Sequence, residues 1–220
     1  MKKAIVLVSG GMDSCVTAAC ALRDGYKLSF LHMNYGQLTE KRELEAFKNI
    51  SEYYSINEKL IFDISHLNII GGSCLTDASI ITPNADLESD QIPISYVPFR
   101  NANILSAAVS WSEINNSEAI YIGAVEEDSS GYPDCRRSFF DSFEEVIKHG
   151  TKPETKVEII TPLINLSKKE IIKLGFSLNA PIHLTWSCYQ NNDIPCMTCD
   201  SCALRKRGFD SAKIKDPILN

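Results

Sequence analysis

The chain has 220 residues, of which 44% are apolar and 23% charged, values typical of globular proteins and unlike those of disordered, collagen-like or coiled-coil chains. That length suffices for one domain, or one domain with a small appendage, and for a core that needs no disulfide staples. The 22 basic and 28 acidic residues give a net charge of −6, which argues against a strongly basic nucleic-acid-binding protein.

The first 65 residues have the pattern of a β-α-β-α-β unit. Residues 4–8 are a continuous apolar run rich in β-branched side chains, as in a strand buried on both faces, and the turn Gly10-Gly11 follows it. Further along we predict a helix with apolar positions from 16 to 22 that stops at Asp24-Gly25, a strand over 28–33, a helix over 40–54 and a strand over 59–64. This order predicts an α/β fold, a Rossmann-like parallel sheet with helices on both faces.

The second half resumes the alternation after a long interruption. Residues 71–96, rich in Gly, Pro, Asp and Ser, predict a functional or disordered loop and are a candidate for a dimer contact or a lid. After it we predict a helix over 101–114, a strand over 119–125, a polar loop over 128–137, a helix over 139–149 and a strand over 157–160. Ser167 and Glu170 form a capping box for a helix through Leu174, which Gly175 ends.

Regular periodicity fades after residue 180, so we predict an α/β domain over 1–180 and a small C-terminal region over 181–220. The basic triplet Arg205-Lys206-Arg207 is interpreted as a solvated face. No apolar run approaches the roughly 18 residues of a membrane span, and the run at 4–8 is too short for a signal peptide. We therefore expect a cytoplasmic protein with no membrane partner.

The segment Ser9-Gly10-Gly11-Met12-Asp13-Ser14 lies between the first strand and the first helix. A helix N-terminus offers unpaired N–H groups and a positive dipole, so it is a ready anion site. Two glycines permit close approach of the backbone, and two serines add hydroxyl donors. The phosphate-binding loop of kinases and GTPases is excluded, because no Gly-Lys-Ser/Thr occurs in the sequence.

Four cysteines lie close together near the C-terminus, at Cys188, Cys196, Cys199 and Cys202. Four thiolates can close a tetrahedral shell round Zn²⁺ with no open position, which indicates a structural zinc site. The alternatives are reduced cysteines without metal and an iron–sulfur cluster, although the Cys-Pro that follows in ferredoxins is missing.

A third signal is the polar loop that follows the predicted strand over 119–125. Its Gly and Pro residues fix a rigid turn that presents Tyr132, Asp134 and Arg136. The carboxyl ends of parallel strands are where ligands bind, although local composition alone also fits an ordinary solvated loop.

The first motif, Ser9 to Ser14, resembles the PP-loop of ATP pyrophosphatases, enzymes that cleave ATP between the α and β phosphates and adenylate a carbonyl oxygen. The whole set of motifs, in order from residue 4 to about 205, resembles the QueC family of 7-cyano-7-deazaguanine synthases. The other matching segments are Tyr35-Gly36-Gln37, Val97-Pro98-Phe99-Arg100-Asn101, Gly131-Tyr132-Pro133-Asp134-Cys135-Arg136, Thr161-Pro162-Leu163 with Lys168, and Thr185-Trp186-Ser187-Cys188. The sequence departs from the family at Leu38, where Arg is frequent, and at the acidic Glu126-Glu127.

The resemblance implies an adenine nucleotide alpha hydrolase-like fold and a homodimer that uses ATP, Mg²⁺ and one structural Zn²⁺ per chain. It implies conversion of 7-carboxy-7-deazaguanine and ammonia to the nitrile preQ0 in queuosine biosynthesis. The net charge of −6 predicts that no nucleic acid is a partner. The implied nucleotide-binding residues are Val8, Ser9, Gly10, Gly11, Met12, Asp13, Ser14, Cys15, Val16, Thr17 and Ala18. Asp13, Arg100 and Lys168 are the implied catalytic residues.

For the substrate, Asp134 could accept from the guanine-like N–H edge, Tyr132 could stack on the ring, and Arg136 could face the carboxylate. The alternatives are a surface ion pair for Arg100, an inward-packed salt bridge for Arg136 and a helix-surface position for Lys168. Two rival functions are a PP-loop tRNA sulfurtransferase, which the net charge of −6 disfavours, and a non-catalytic zinc module, which the PP-loop disfavours.

Overall fold

The computed structural model describes residues 2–89, 91–126 and 131–219. In these ranges five strands form one parallel sheet with the order β3-β2-β1-β4-β5. The strands are β1 (Lys3–Leu7), β2 (Lys27–Asn34), β3 (Lys59–Asp63), β4 (Ala119–Tyr121) and β5 (Glu158–Ile160). The helices are α1 (Met12–Arg23), α2 (Glu40–Tyr53), α3 (His66–Ile70), α4 (Arg100–Asn115), α5 (Arg137–Gly150), α6 (Lys168–Ser177) and α7 (Asp200–Ala212).

The predicted parallel sheet with helices on both faces is confirmed, and β1 shows why the sequence folds this way. Alternate side chains of a strand point to opposite faces, and both faces of β1 are covered by helices, so every residue of this apolar run is buried. Ala4 and Val6 pack with side chains of α1 and α2, whereas Ile5 packs on the other face with side chains of α4 and α5. A strand buried on both faces reads as a continuous apolar run, as observed at residues 4–8.

The C-terminal end of α6 differs from the sequence prediction. The capping box of Ser167 and Glu170 is present, but the helix continues through Gly175 to Ser177. A Cβ at residue 175 would lie 2.8 Å from side-chain atoms of both Val16 and Ile182. The glycine therefore permits close packing of α6 on α1 and does not end the helix.

Helix α7 was not predicted, and its position explains why. Its Cys199 N-cap and Cys202 belong to the cysteine group, and its charged residues hide the apolar repeat. Phe209 nevertheless packs in one cluster with residues of α1 and α6. The C-terminal region thus shares a core with the α/β part, and the division of the chain at residue 180 stays a prediction.

Smaller differences concern the ends of the elements. Strand β4 ends at Tyr121, four residues earlier than predicted, and residues 122–125 continue along the cavity wall. Helix α1 already begins at Met12. The short helix α3 was not predicted, since five residues give too little periodicity.

The described part of residues 71–96 contains neither helix nor strand, in agreement with the prediction of a loop. Backbone hydrogen bonds tie it to its surroundings, from Leu38 N–H to the Leu75 carbonyl and from Ala85 N–H to the Thr198 carbonyl. The segment thus lies against both the Tyr35-Gly36-Gln37 turn and the cysteine region. Within the described residues no helix is long and apolar enough to cross a membrane.

Candidate active site

A cavity of about 270 Å³ lies at the carboxyl ends of the central strands. Val8 lies there directly after β1, Met33 near the end of β2, and Gly123 after β4. In open parallel α/β sheets this edge is the ligand-binding edge. The predicted site residues should therefore line this cavity.

The turn between β1 and α1 forms one wall of the cavity through Ser9 and the residues from Gly11 to Ser14. Gly10 has φ +95°, and a Cβ there would lie 2.6 Å from the Glu43 carbonyl oxygen, so only glycine fits. Gly11 is the N-cap of α1 and provides no side-chain cap. The first N–H groups of α1 therefore face the cavity without an intrahelical partner, as an anion site requires.

The two serines of this turn are arranged around the same helix end. The Ser9 and Ser14 hydroxyls lie 3.2 Å apart, and the Ser14 hydroxyl donates to the Gly11 carbonyl at 2.9 Å. The Ser9 hydroxyl also accepts from the Gly11 N–H at 3.2 Å. Both hydroxyls are thus preorganised beside the first N–H groups of α1.

Not every residue of the predicted nucleotide-binding run lines the cavity. Cys15 and Ala18 are buried against the sheet, Val16 packs against α6, and the Thr17 hydroxyl donates to the Asp13 carbonyl at 2.9 Å. These residues hold α1 in place. Gly123, which was not predicted, also helps to position α1, because the absence of a side chain lets the helix approach closely. A Cβ there would lie 2.9 Å from the Asp13 carbonyl carbon and the Thr17 hydroxyl.

Lys168 and Asp13 both line the cavity and form an ion pair, although 155 positions separate them in the chain. The Lys168 ammonium donates to Asp13 Oδ2 at 2.5 Å, and the lysine side chain is only 9% exposed. Asp13 Oδ1 is buried and has no hydrogen-bond partner among the described residues. A carboxylate with one oxygen left without a hydrogen bond, beside an anion site, is the type of ligand that a magnesium–phosphate complex would use.

Arg100 begins α4 and enters the cavity between aromatic rings. Its guanidinium donates to the Tyr35 hydroxyl at 3.0 Å and lies 5.0 Å from the Tyr35 ring centroid and 6.0 Å from that of Tyr132. Tyr132 is 8% exposed, lines the cavity, and donates its hydroxyl to Ser95. Burial raises the pKa of Tyr132 above its ordinary value.

Asp134 and Arg136 occupy other positions. The Asp134 carboxylate is buried and accepts the Asn101 backbone N–H at 2.9 Å, so it caps the first turn of α4. Burial raises the pKa of this carboxyl. Arg136 is exposed at the start of α5, and neither residue lines the cavity. The predicted loop residues 128–130, and Glu127, lie outside the described residues.

Two cysteines near the cavity are poor candidates for thiolate chemistry. Cys15 is fully buried, and burial raises its pKa to about 12. Cys135 lines the cavity, and burial followed by the neighbouring Asp134 charge raises its pKa to about 11. A thiol nucleophile needs a depressed pKa, so both thiols are set up as inert.

The four predicted cysteine ligands come together, with all Sγ atoms within 4.8 Å of one another. Cys196 and Cys202 have their Sγ atoms 3.9 Å apart, close to the roughly 3.8 Å edge of a tetrahedron with Zn–S bonds of about 2.3 Å. Backbone N–H groups of Asn191 and Cys196 both donate to Cys188 Sγ at 3.3 Å, as expected for a thiolate. The donor set fits a tetrahedral metal ion.

The cysteine region also forms a wall of the cavity. Trp186 N–H donates to the Gly10 carbonyl at 2.9 Å, and Tyr189, beside Cys188, lines the cavity. Arg205 lines it too, and its interpretation as part of a solvated face is wrong: it is 5% exposed and bound to Asp216 at 2.7 Å. A run of basic residues in a sequence does not reveal which of them is buried against an acidic partner.

Glu43 is a further cavity residue that the sequence analysis did not single out. It lies on α2, and its place after the Tyr35-Gly36-Gln37 motif was the available signal. Its carboxylate accepts from the Thr39 hydroxyl at 2.6 Å and from Gln37 Nε2 at 3.1 Å.

Comparisons with known proteins agree with this geometry. The sequence model of the family described as "Queuosine biosynthesis protein QueC" matches residues 3–213. A relative from Chlorobaculum parvum, called 7-cyano-7-deazaguanine synthase, is 57% identical over 98% of this chain and 95% of its own length. A relative of the same name from Chloroherpeton thalassium is 56% identical over 98% and 96%.

Among solved structures, a 4-thiouridine synthetase in complex with RNA and ATP is similar, with a TM-score of 0.55 and 18% identity over 96% of this chain and 54% of that chain. At that identity the likeness concerns the fold alone.

Proposed function

The chain belongs to the QueC family of queuosine biosynthesis proteins, and we propose that it converts 7-carboxy-7-deazaguanine and ammonia into 7-cyano-7-deazaguanine with consumption of ATP. One observation carries the proposal. An anion-binding helix end, the Lys168–Asp13 ion pair and the Arg100 guanidinium line the same cavity.

The chemistry requires two activations. A carboxylate is a poor electrophile, so its oxygen first attacks the α-phosphorus of ATP and releases pyrophosphate. Ammonia adds to the acyl adenylate, AMP leaves, and loss of a proton gives the amide. The amide oxygen is then adenylated by a second ATP, which releases pyrophosphate, and departure of AMP with loss of both nitrogen-bound protons leaves the nitrile. This sequence needs no covalent enzyme nucleophile.

The residues act by positioning and by charge stabilisation. The N–H groups of the first turn of α1 and the hydroxyls of Ser9 and Ser14 hold the departing pyrophosphate. Lys168 neutralises charge on the phosphates. Arg100, held by Tyr35, contacts the substrate carboxylate or the α-phosphate, where its planar fork offers two parallel donors.

Mg²⁺ accompanies the triphosphate in this proposal. Asp13 would hold it through the buried Oδ1, which has no partner in the described residues. When bound, the ion supplies neutralisation of phosphate charge. Lys168 fixes the other oxygen and so orients the carboxylate.

We assign one structural zinc to Cys188, Cys196, Cys199 and Cys202. A closed four-sulfur shell offers no open position for substrate, so the metal would stabilise the fold. Because Trp186 and Tyr189 flank Cys188 and line the cavity, the metal would stabilise this wall of the active site.

The rival functions have less support. A sulfurtransferase needs a reactive thiolate, whereas burial raises the pKa of Cys15 and of Cys135. A non-catalytic zinc module would not need the cavity that its cysteine region helps to line. We further propose a cytoplasmic homodimer without a nucleic-acid partner; light scattering would give the oligomeric state.

The test is incubation of the purified protein with 7-carboxy-7-deazaguanine, MgATP and ammonium, followed by mass spectrometry. We expect the nitrile, AMP and pyrophosphate. A reaction that yields ADP, or one that depends on a sulfur donor in place of ammonium, would contradict the proposal.

A further inference from the structure

The deazaguanine base has a recognition edge that demands an acceptor. Its ring N–H and its exocyclic amino group point the same way, on the six-membered ring and away from the carboxyl-bearing five-membered ring. Two parallel N–H donors match one ionised carboxylate, which can accept both at once. A site that binds this base selectively therefore needs a carboxylate turned into the cavity.

Among the described residues that line the cavity, two carry a carboxylate, Asp13 and Glu43. Asp13 is bound to Lys168 beside the pyrophosphate site. The Asp134 carboxylate is turned to the start of α4, where it accepts the Asn101 N–H. Glu43 is thus the carboxylate left for the base.

The surroundings of Glu43 hold it rigidly and leave acceptor capacity. The Thr39 hydroxyl donates to Oε1 and Gln37 Nε2 donates to Oε2, so each oxygen accepts one described hydrogen bond. An ionised carboxylate has about four acceptor positions, so one remains on each oxygen. Gln37 and Thr39 are 5% and 2% exposed, which fixes the donors themselves.

Glu43 and Arg100, which carry opposite charges, both line the cavity. Gln37 Oε1 accepts the Tyr35 N–H at 2.9 Å, while the Tyr35 hydroxyl accepts from Arg100 at 3.0 Å. Tyr35 therefore contacts both Gln37, which holds the Glu43 carboxylate, and the Arg100 guanidinium. Burial raises the pKa of Glu43, because the loss of water outweighs the two hydrogen bonds from Thr39 and Gln37. Two further N–H donors from the base would stabilise the ionised carboxylate and so lower this pKa.

We propose that Glu43 is the specificity residue for the base, accepting the ring N–H and the exocyclic amino group of the deazaguanine. The inference rests on the proposed function and goes beyond it by naming the group that distinguishes this base from one without the amino group. Gln37 and Thr39 are then positioning residues for Glu43.

The experiment measures binding and not turnover. Calorimetry gives the affinities of 7-carboxy-7-deazaguanine, of its analogue without the exocyclic amino group, and of MgATP. The variants are Glu43→Gln and, as matched control on the same helix, Glu45→Gln, whose side chain is 63% exposed. The amide of Glu43→Gln turns one acceptor into a donor that faces a donor.

The wild type should bind the acid roughly tenfold or more tightly than the analogue. In Glu43→Gln the affinity for the acid should fall by roughly ten- to a hundredfold, and the preference for the acid over the analogue should be lost. ATP affinity should change little, and Glu45→Gln should bind like the wild type. If Glu43→Gln does not fold, Glu43→Asp, which withdraws the carboxylate by one methylene, should still weaken the acid relative to ATP.

Three results would overturn the inference. A wild type that binds acid and analogue equally has no acceptor for the amino group. A folded Glu43 variant with wild-type preference places the acceptor elsewhere. Loss of preference in Asp134→Asn but not in Glu43→Gln assigns the edge to Asp134. Each of these differs from failure of the proposed function, which appears as absence of turnover in the wild type.

Discussion

Asp134 is the residue at which the sequence and the structure suggest different roles. The sequence suggests an acceptor for the base, whereas the structure places the carboxylate 2.9 Å from the Asn101 N–H at the start of α4. Asn101 in turn donates its side-chain amide to the Asp134 carbonyl at 2.9 Å. Because Arg100 begins this helix, we predict that Asp134 acts on the cavity through α4.

Replacing Asp134 by Ala removes the cap and leaves a buried N–H without its partner. We expect the free energy of unfolding to fall by about 1–3 kcal/mol. For a chain of this size each kcal/mol corresponds to about 2–4 °C, so the melting temperature should fall by about 2–12 °C. The affinity for ATP or for the acid should fall as well, because α4 carries Arg100, which we propose contacts the α-phosphate or the substrate carboxylate.

Asp134→Asn separates the two roles. Its amide oxygen can still accept the Asn101 N–H, and the change removes a charge whose burial raises the pKa of the carboxyl. We expect a melting temperature within a few degrees of wild type and both affinities retained. Calorimetry and thermal unfolding on one preparation measure both, with the exposed Asp141→Ala as control. Selective loss of acid binding in Asp134→Asn at unchanged stability would refute this reasoning.

Three further predictions concern the anion site, the ion pair and the metal. Gly11→Val and Ser14→Ala should each reduce AMP formation, the valine more, since its branched Cβ crowds the anion and would lie about 3.3 Å from the Ser9 hydroxyl; normal turnover in Gly11→Val would exclude the PP-loop as the phosphate site. Lys168→Met should lower AMP formation at least about tenfold, because it removes one charge-assisted donor to the phosphates; unchanged AMP formation would assign the lysine a structural role only. Cys199→Ser should lower zinc content and thermal stability before it alters the chemistry, since metal binding is coupled to folding; elemental analysis that finds iron in a brown wild-type protein would show that zinc is the wrong metal.

Much of the fold was predictable because local patterns and tertiary structure agree. The apolar run at 4–8, the capping box at Ser167 and the glycine turn at Gly10 each have one physical meaning. Helix α7 was not predictable in this way. Its N-terminal residues belong to the cysteine group, so the 3.6-residue repeat is weak where it begins.

The site was predictable where the backbone conformation defines a motif, and less predictable where the direction of a side chain decides. Residues of the PP-loop line the cavity. The four cysteines lie close to one another, as their spacing in the sequence indicated. Sequence could not show that Asp134 turns to the Asn101 N–H while Glu43 turns into the cavity. Nor could it show that Arg205 is buried against Asp216, because that ion pair depends on how the chain folds back after α7.

The most direct test of the central claim is the fate of the two carboxyl oxygens. If 7-carboxy-7-deazaguanine labelled with ¹⁸O in both positions reacts with MgATP and ¹⁵N-ammonium, each adenylation should transfer one labelled oxygen to AMP. Mass spectrometry should then find two molecules of AMP, each with one ¹⁸O, for every nitrile that contains ¹⁵N. Label in inorganic phosphate or water, or AMP without ¹⁸O, would contradict activation of both the acid and the amide by adenylation.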